Sequence, residues 1–226
     1  MLDNIIDIEL LKKNLPFWDK ISNEEKKLTL DNAIILKYKK SNIVYNDDAD
    51  CKGLAIVKSG NLRAYMLSES GKEITLYRLF ENDCCIMTAS CLLKNITFDM
   101  IIEAERDCEI ILVPSVTYER LSSSNLLIQD FTNQLISSRF SDVMWIMEQV
   151  VFMSFDKRLA IFLLEQSAIE DSDTITMTHD TIAKNLGSAR EVVTRMLKYF
   201  QNSDLVYVSR GNIEIKDRKK LMGLTQ

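Results

Sequence analysis

Two groups of residues in this chain have types and spacings that could do chemistry. The first is Arg190, Glu191, Thr194, Arg195 and Lys198, which a helix would leave on its outer side while Val192, Val193, Met196, Leu197 and Phe200 turn inward. An Arg fork matches guanine O6 and N7 bidentately, and a Glu carboxylate accepts from a cytosine amino group. This is recognition chemistry rather than bond making. The second group is Cys84, Cys85 and Cys91, with Cys51 and Cys108 elsewhere. Exposed thiolates oxidise or nitrosate, and four thiols could hold an iron–sulfur cluster, although these spacings match no known pattern. Buried free cysteines simply pack as small hydrophobes. A Cys-dependent redox enzyme or hydrolase is disfavoured: there is no Cys-X-X-Cys, no His near any Cys in sequence and no Gly-rich phosphate loop.

The charged group needs an element to present it. Thr178–Gln201 reads THDTIAKNLGSAREVVTRMLKYFQ, a short helical pattern, a Leu-Gly break and a longer helix. Ile182, Ala183 and Leu186 form one apolar stripe, and Gly187 permits a tight turn. Ser188 is expected to cap the second helix, with Glu191 three residues on closing a capping box. His179, the only histidine, is expected to cap or solvate the first helix. The pattern predicts a helix-turn-helix whose second helix fits a DNA major groove; the plainer alternative is an amphipathic hairpin with a solvated face. Directly after it, LVYVSRGNIEIKD at 205–217 alternates Val206 and Val208, then Ile213 and Ile215, around the turn signal Arg210-Gly211-Asn212. That predicts a β-hairpin, and with it a winged helix.

Upstream, residues 5–14 and 22–31 read as helices, the second opened by a Ser22–Glu25 capping box. From about 33 to 114 the chain becomes short apolar runs, AIILKYK, NIVY, GLAIVKSG, NLRAYMLS, EITLYRLF, DMIIEAE and CEIILVP, separated by Asn/Asp/Ser/Gly turns. These predict a β-roll or barrel of about seven or eight strands. Pro114 ends it, and a short helix is expected around 115–122. Residues 124–154 then hold a helical period without Gly or Pro. Ile136, Phe140, Val143, Met147 and Val150 recur at 4, 3, 4, 3, a heptad seam, while Leu127, Phe131 and Leu135 form a second stripe that could pack on the roll. One small domain cannot bury both stripes, so a parallel coiled coil in a homodimer is expected; a core helix of one larger domain is the alternative. The fold class is therefore α+β, with a β-roll and flanking helices over 1–122, a dimerisation helix over 123–154 and a winged helix-turn-helix over 155–226.

At 226 residues, with 46% hydrophobic and 27% charged residues, the chain has the composition of a soluble globular protein. Its net charge of −5 is unevenly spread: residues 155–226 hold 11 Lys and Arg against 10 Asp and Glu, and residues 1–154 hold 17 against 23. Local field governs contact with phosphate, so the acidic total weakens a DNA role only slightly. No run of 18 apolar residues exists and the first residues are acidic and amphipathic, which points to the cytoplasm. Five cysteines, an odd number, do not suggest a disulfide framework.

Roll, long helix and winged helix in this order resemble the Crp/Fnr family of bacterial transcription regulators along nearly the whole chain. GSAREVVTR at 187–195 resembles that family's recognition-helix signature, and GLAIVKSGNLRAY at 53–65 resembles the glycine-turn strand pair opening its cyclic-nucleotide-binding-like sensor roll. The resemblance implies Arg190, Glu191 and Arg195 as the main base-reading residues, within a DNA-contacting set of Ser188, Arg190, Glu191, Thr194, Arg195 and Lys198. It also implies an inverted-repeat site in double-stranded DNA and RNA polymerase as a partner. Ala189 departs from the Ser or Thr of many members and removes a hydroxyl.

The sensor departs further. Cyclic-nucleotide-binding members carry a Glu for the ribose and an Arg for the phosphate; Met87 and Phe98 stand near those places here. A buried phosphate would lose its paired charge, at a cost of several kcal/mol. A cyclic-nucleotide-responsive regulator is therefore the alternative reading, not the first. Oxygen-sensing relatives hold an iron–sulfur cluster on cysteines near the N-terminus, but no Cys precedes Cys51 here. The CCxxxxxC pattern instead resembles a branch from anaerobic bacteria linked to nitrosative stress and control of the hybrid cluster protein. An effector pocket of Met87, Phe98, Met100, Cys84, Cys85 and Cys91 is implied. Its apolar character would suit haem through Met, Cys or Tyr ligation, since His179 lies in the DNA-binding part.

Overall fold

The structure is a computed structural model that describes residues 5–46, 52–86 and 100–226. The chain divides into two compact units, Met1–Met66 with Leu76–Val143 and Leu67–Thr75 with Met144–Gln226.

In the first unit, α1 (Ile5–Asn14) and a 3-10 turn at Trp18–Lys20 precede α2 (Asn23–Asn32). Ser22 opens α2 with the expected capping box: Glu25 N–H donates to Ser22 Oγ at 3.2 Å, and Ser22 N–H donates to Glu25 Oε2 at 2.8 Å. The strands follow as β1 (Ile34–Tyr38), β2 (Ile43–Tyr45), β3 (Gly53–Ser59), β4 (Leu62–Leu67), β5 (Glu73–Leu79), β6 (Cys84–Ile86), β7 (Ile101–Ala104) and β8 (Cys108–Pro114). They make two four-stranded sheets, in orders β1-β8-β3-β6 and β2-β7-β4-β5. Gly60 turns β3 into β4 at φ +78, where a Cβ would stand 2.4 Å from the Asp107 carbonyl oxygen, so only glycine fits.

Alternation along β3, β6 and β8 explains their nearly continuous apolar runs. Ala55, Val57, Cys85, Ile110 and Leu112 face the interior of the roll. Leu54, Ile56, Cys84, Ile111 and Val113 face the other way, onto Leu11, Trp18, Tyr118 and Phe131. Strands buried on both faces need no polar residues in alternation.

Helix α3 (Ser115–Ser124) ends at Asn125, whose extended backbone breaks the helical path. Asn125 Oδ1 accepts from the Leu127 amide at 3.0 Å, and its Nδ2 donates to Glu25 Oε1 at 2.8 Å. Only then does α4 (Leu126–Phe152) begin, so the helix expected from 124 starts two residues later. The stripe that packs on the first unit is Ile128, Phe131 and Leu135. Leu127 was expected in that stripe but is 40% exposed, because one helical step rotates it by about 100° away from Ile128.

The second unit contains α5 (Phe155–Ile169), β9 (Thr174–Thr176), α6 (His179–Leu186), α7 (Arg190–Asn202), β10 (Val206–Ser209), β11 (Asn212–Ile215) and α8 (Arg218–Gly223). β10 and β11 form the expected hairpin, pairing Val206 with Ile215 and Ser209 with Asn212 across Arg210-Gly211. β9 adds a third strand on the far side of β11, with Ile175 opposite Ile213. Leu159, Leu163, Ile182, Val193, Leu197 and Phe200 fill its core. The segment Leu67–Thr75 belongs to this unit too: Ile74 bridges to Leu186, Glu73 pairs with Lys184 at 3.0 Å, and the Thr75 hydroxyl donates to Asn185 Oδ1 at 2.7 Å. No helix among the described residues is long and apolar enough to cross a membrane.

Candidate nucleic-acid interface and effector pocket

The helix pair is built from its turn outward. Gly187 ends α6 in the left-handed region at φ +63, and its amide donates to the Ala183 carbonyl. The Ser188 amide donates to that same carbonyl at 3.0 Å, so Ser188 belongs to the closure of α6. This corrects the expected capping box. Ala189 is the N-cap of α7, its side chain makes no capping bond, and Arg190 is the first helical residue. The C-terminal end of α6 is held by Arg158 from α5, whose Nη1 donates to the Leu186 carbonyl at 3.1 Å.

α7 buries Val193, Leu197 and Phe200 and half-buries Val192 and Met196, as the pattern predicted. Arg190, Glu191, Thr194, Arg195 and Lys198 are all exposed on its other side, and Ser188 is half-buried beside them. Two Arg and one Lys on one exposed helical face, with one Glu among them, make a cationic surface with bidentate donors.

His179 is not the N-cap of α6. Thr178 holds that position, its hydroxyl accepting from the Thr181 amide at 3.1 Å. The ring instead crosses to α7, where Nδ1 lies 2.9 Å from Thr194 Oγ1. Burial, then the Arg190 charge, lowers its pKa below the usual 6.5.

α4 carries the apolar seam expected of a dimer helix. Phe140 is 66% exposed, Met147 53% and Val150 48%, while Val143 is half-buried. Ile136, at the start of the seam, is half-buried and already packs on the first unit's core. Met144 and Trp145 widen the exposed apolar face.

Met87, Cys91 and Phe98 lie outside the described residues, as does Cys51. Cys84 and Cys85 are described, and the pleat sends them apart: Cys84 joins the cluster under α1 and α4, Cys85 the roll interior. They therefore cannot both ligate one small cluster from β6. Burial pushes the Cys84 thiol up to about 12 and raises Cys85 as well. At Cys85, the Tyr77 hydroxyl stands 4.0 Å from the sulfur and 3.3 Å from Met100 Sδ. Sequence reasoning missed Arg139 of α4. Its guanidinium covers the Tyr77 ring at 4.9 Å, donates to the Cys84 carbonyl at 3.4 Å and pairs with Asp142 at 2.8 Å. No sequence signal marks it, since Arg139 sits between the two apolar stripes of a long helix.

Family models for a Crp-like helix-turn-helix domain and a cyclic nucleotide-binding domain match residues 157–224 and 35–125. A solved structure from Eubacterium rectale, assigned to the Crp/Fnr family of transcriptional regulators, is similar at 47% identity and a TM-score of 0.89. The similarity covers 94% of this chain and 99% of that one. Regulatory protein HlyX of Actinobacillus pleuropneumoniae is 27% identical over 209 residues, 88% of this chain and 85% of that protein. The anaerobic regulatory protein of Haemophilus influenzae is 26% identical over 213 residues, 90% and 81% respectively. With its sensor-type roll, its winged helix and a near full-length relative of this similarity, the chain belongs to the Crp/Fnr family of DNA-binding transcription regulators, which are not enzymes.

Proposed function

We propose that this protein works in the cytoplasm as a homodimer that reads an inverted repeat in double-stranded DNA and engages RNA polymerase, as a stress response to a redox, nitrosative or haem-type signal. The observation that carries the DNA reading is the exposed face of α7, where Arg190, Glu191, Thr194, Arg195 and Lys198 stand together on a helix anchored by Val193, Leu197 and Phe200. Ser188 completes the contact set. The exposed apolar face of α4 supports the dimer, with Ile136, Phe140, Val143, Met147 and Val150 as its seam.

The signal is argued from the pocket. Two thiols buried and held protonated are poor nucleophiles, which supports a bound group over thiolate chemistry at Cys84 or Cys85. Cys85, Tyr77 and Met100 meet in apolar surroundings, where burial holds the Cys85 thiol and the Tyr77 phenol protonated. Of the three, the Met100 thioether is the group that could hold a haem iron without losing a proton, and the bound iron would supply the redox and gas-binding chemistry. An anaerobic regulatory protein among the relatives agrees with this class of signal. The match to a cyclic nucleotide-binding domain favours the second reading, a cyclic-nucleotide-responsive regulator.

A melting experiment separates the two. Millimolar cyclic AMP or cyclic GMP is expected to leave the melting temperature unchanged. A ligand present at 100 times its dissociation constant adds about 2.7 kcal/mol, or several degrees for a domain of this size; such a rise would establish the second reading. With haem-loaded protein, replacing Cys84, Cys85 and Cys91 together by Ala is expected to leave the nitric-oxide response of DNA binding intact. Loss of that response would assign sensing to the thiols.

A further inference from the structure

The Thr194 hydroxyl donates its single hydrogen to the Arg190 carbonyl at 2.9 Å, so its oxygen is left to accept. His179 Nδ1 stands 2.9 Å from that oxygen and must therefore be the nitrogen that carries a proton. This fixes the tautomer of the neutral ring and leaves its charge to Nε2. With Nδ1 protonated, a neutral ring presents a bare lone pair at Nε2, and a charged ring presents an N–H donor there. The ring is half-buried between α6 and the first turns of α7, beside the charged face that carries Arg190, Thr194 and Lys198.

We propose that DNA binding takes up one proton per protomer at His179, which locks Thr194 on α7 through Nδ1 and donates from Nε2 to a phosphate of the DNA backbone. The proposal rests on α7 being the DNA-reading helix. A neutral ring would turn a lone pair toward an anionic phosphate oxygen, which is repulsive; a charged ring makes a charge-assisted bond at the same place. Arg190 on α7 is the charged group that acts on the ring, and Asp180 follows it in the first turn of α6. Burial and Arg190 keep the ring's pKa below its ordinary value in the free protein, so at neutral pH it starts uncharged and the proton must be acquired on binding.

The sign follows from linkage. The phosphate raises the ring's pKa in the complex above that in the free protein, so affinity increases as pH falls through the window between the two. The largest slope is tenfold per pH unit for each protomer that takes up one proton. His179 is the only histidine in the chain, and burial and Arg190 set the lower edge of the window below the usual imidazole value.

The test uses the full-length protein and a fluorescent duplex that it selects from a random-sequence pool. Wild-type affinity is expected to rise as pH falls from 8 to 5.5, and calorimetry in buffers of different ionisation heat to show proton uptake. His179→Asn, whose Nδ2 keeps a donor for Thr194 but cannot charge, is expected to give a flat profile at the weaker, high-pH affinity. His179→Arg, always charged, is expected to bind with a flat profile at the tighter affinity. A wild type that binds with no proton uptake, or a His179→Asn variant with an unchanged pH slope, overturns the proposal while leaving the DNA reading standing. A wild type that binds no duplex at any pH overturns the DNA reading itself.

Discussion

Phe140→Glu is expected to abolish both dimerisation and operator binding while the roll stays folded. Phe140 is 66% exposed in the single chain and sits between half-buried Val143 and Ile136 on α4, so the roll's own core does not depend on it. Across a two-fold axis each ring would leave water, gaining about 1.5–3 kcal/mol per protomer on full burial. Glu removes that gain from both copies and sets two carboxylates against each other in a desolvated seam. Half-site contacts then bind independently, and the gain from joining two sites, typically 10²–10⁴-fold, is lost. Sedimentation and far-ultraviolet circular dichroism check it: a monomer of native helicity that no longer binds is expected. A variant that stays dimeric would remove Phe140 from the interface.

The second large effect is specificity. Arg190→Ala removes an exposed fork from the first turn of α7 and leaves the buried face of the helix untouched. It is expected to cost about 1–3 kcal/mol on the selected site and to relax preference at one G·C pair per half-site. A contact to phosphate would instead weaken all duplexes alike and lower the salt slope by about one. Titrating the variant against the selected duplex and a random one, at several salt concentrations and at pH 8 where His179 is uncharged, distinguishes them. Equal loss on both duplexes would take Arg190 out of base reading.

The parts of this fold that could be read from sequence are those whose signal is local. Gly187 between two amphipathic stripes, and Arg210-Gly211 between alternating strands, each specify a turn by backbone preference alone. Ser22 and Glu25 form their box because both partners lie within one turn. What was misread depends on partners far away. Ser188 and Glu191 satisfy the same spacing rule as Ser22 and Glu25, yet the closure of α6 on the Ala183 carbonyl takes the Ser188 amide first. β9 went unseen because Ile175 alone is apolar among threonines and becomes a strand only by pairing with β11. The site shows the same division. The α7 face was legible from its 3.6-residue period, whereas the bond from His179 to Thr194 spans 15 residues and the place of Arg139 over Tyr77 spans two elements. The sequence left Cys84 and Cys85 open between sensing and packing; what it did not show is the pleat, which sends neighbours on a strand to opposite faces and so separates the two.

The central claim is that two copies of α7 read one two-fold DNA site. The measurement that meets it most directly is selection of duplexes from a random-sequence pool by the purified wild-type protein, followed by sequencing and footprinting. The expected result is an enriched inverted repeat whose half-site centres lie about one helical turn apart, roughly 34 Å, with protection on one face of the duplex. Enrichment of a single asymmetric half-site, or no enrichment over the starting pool, would contradict it.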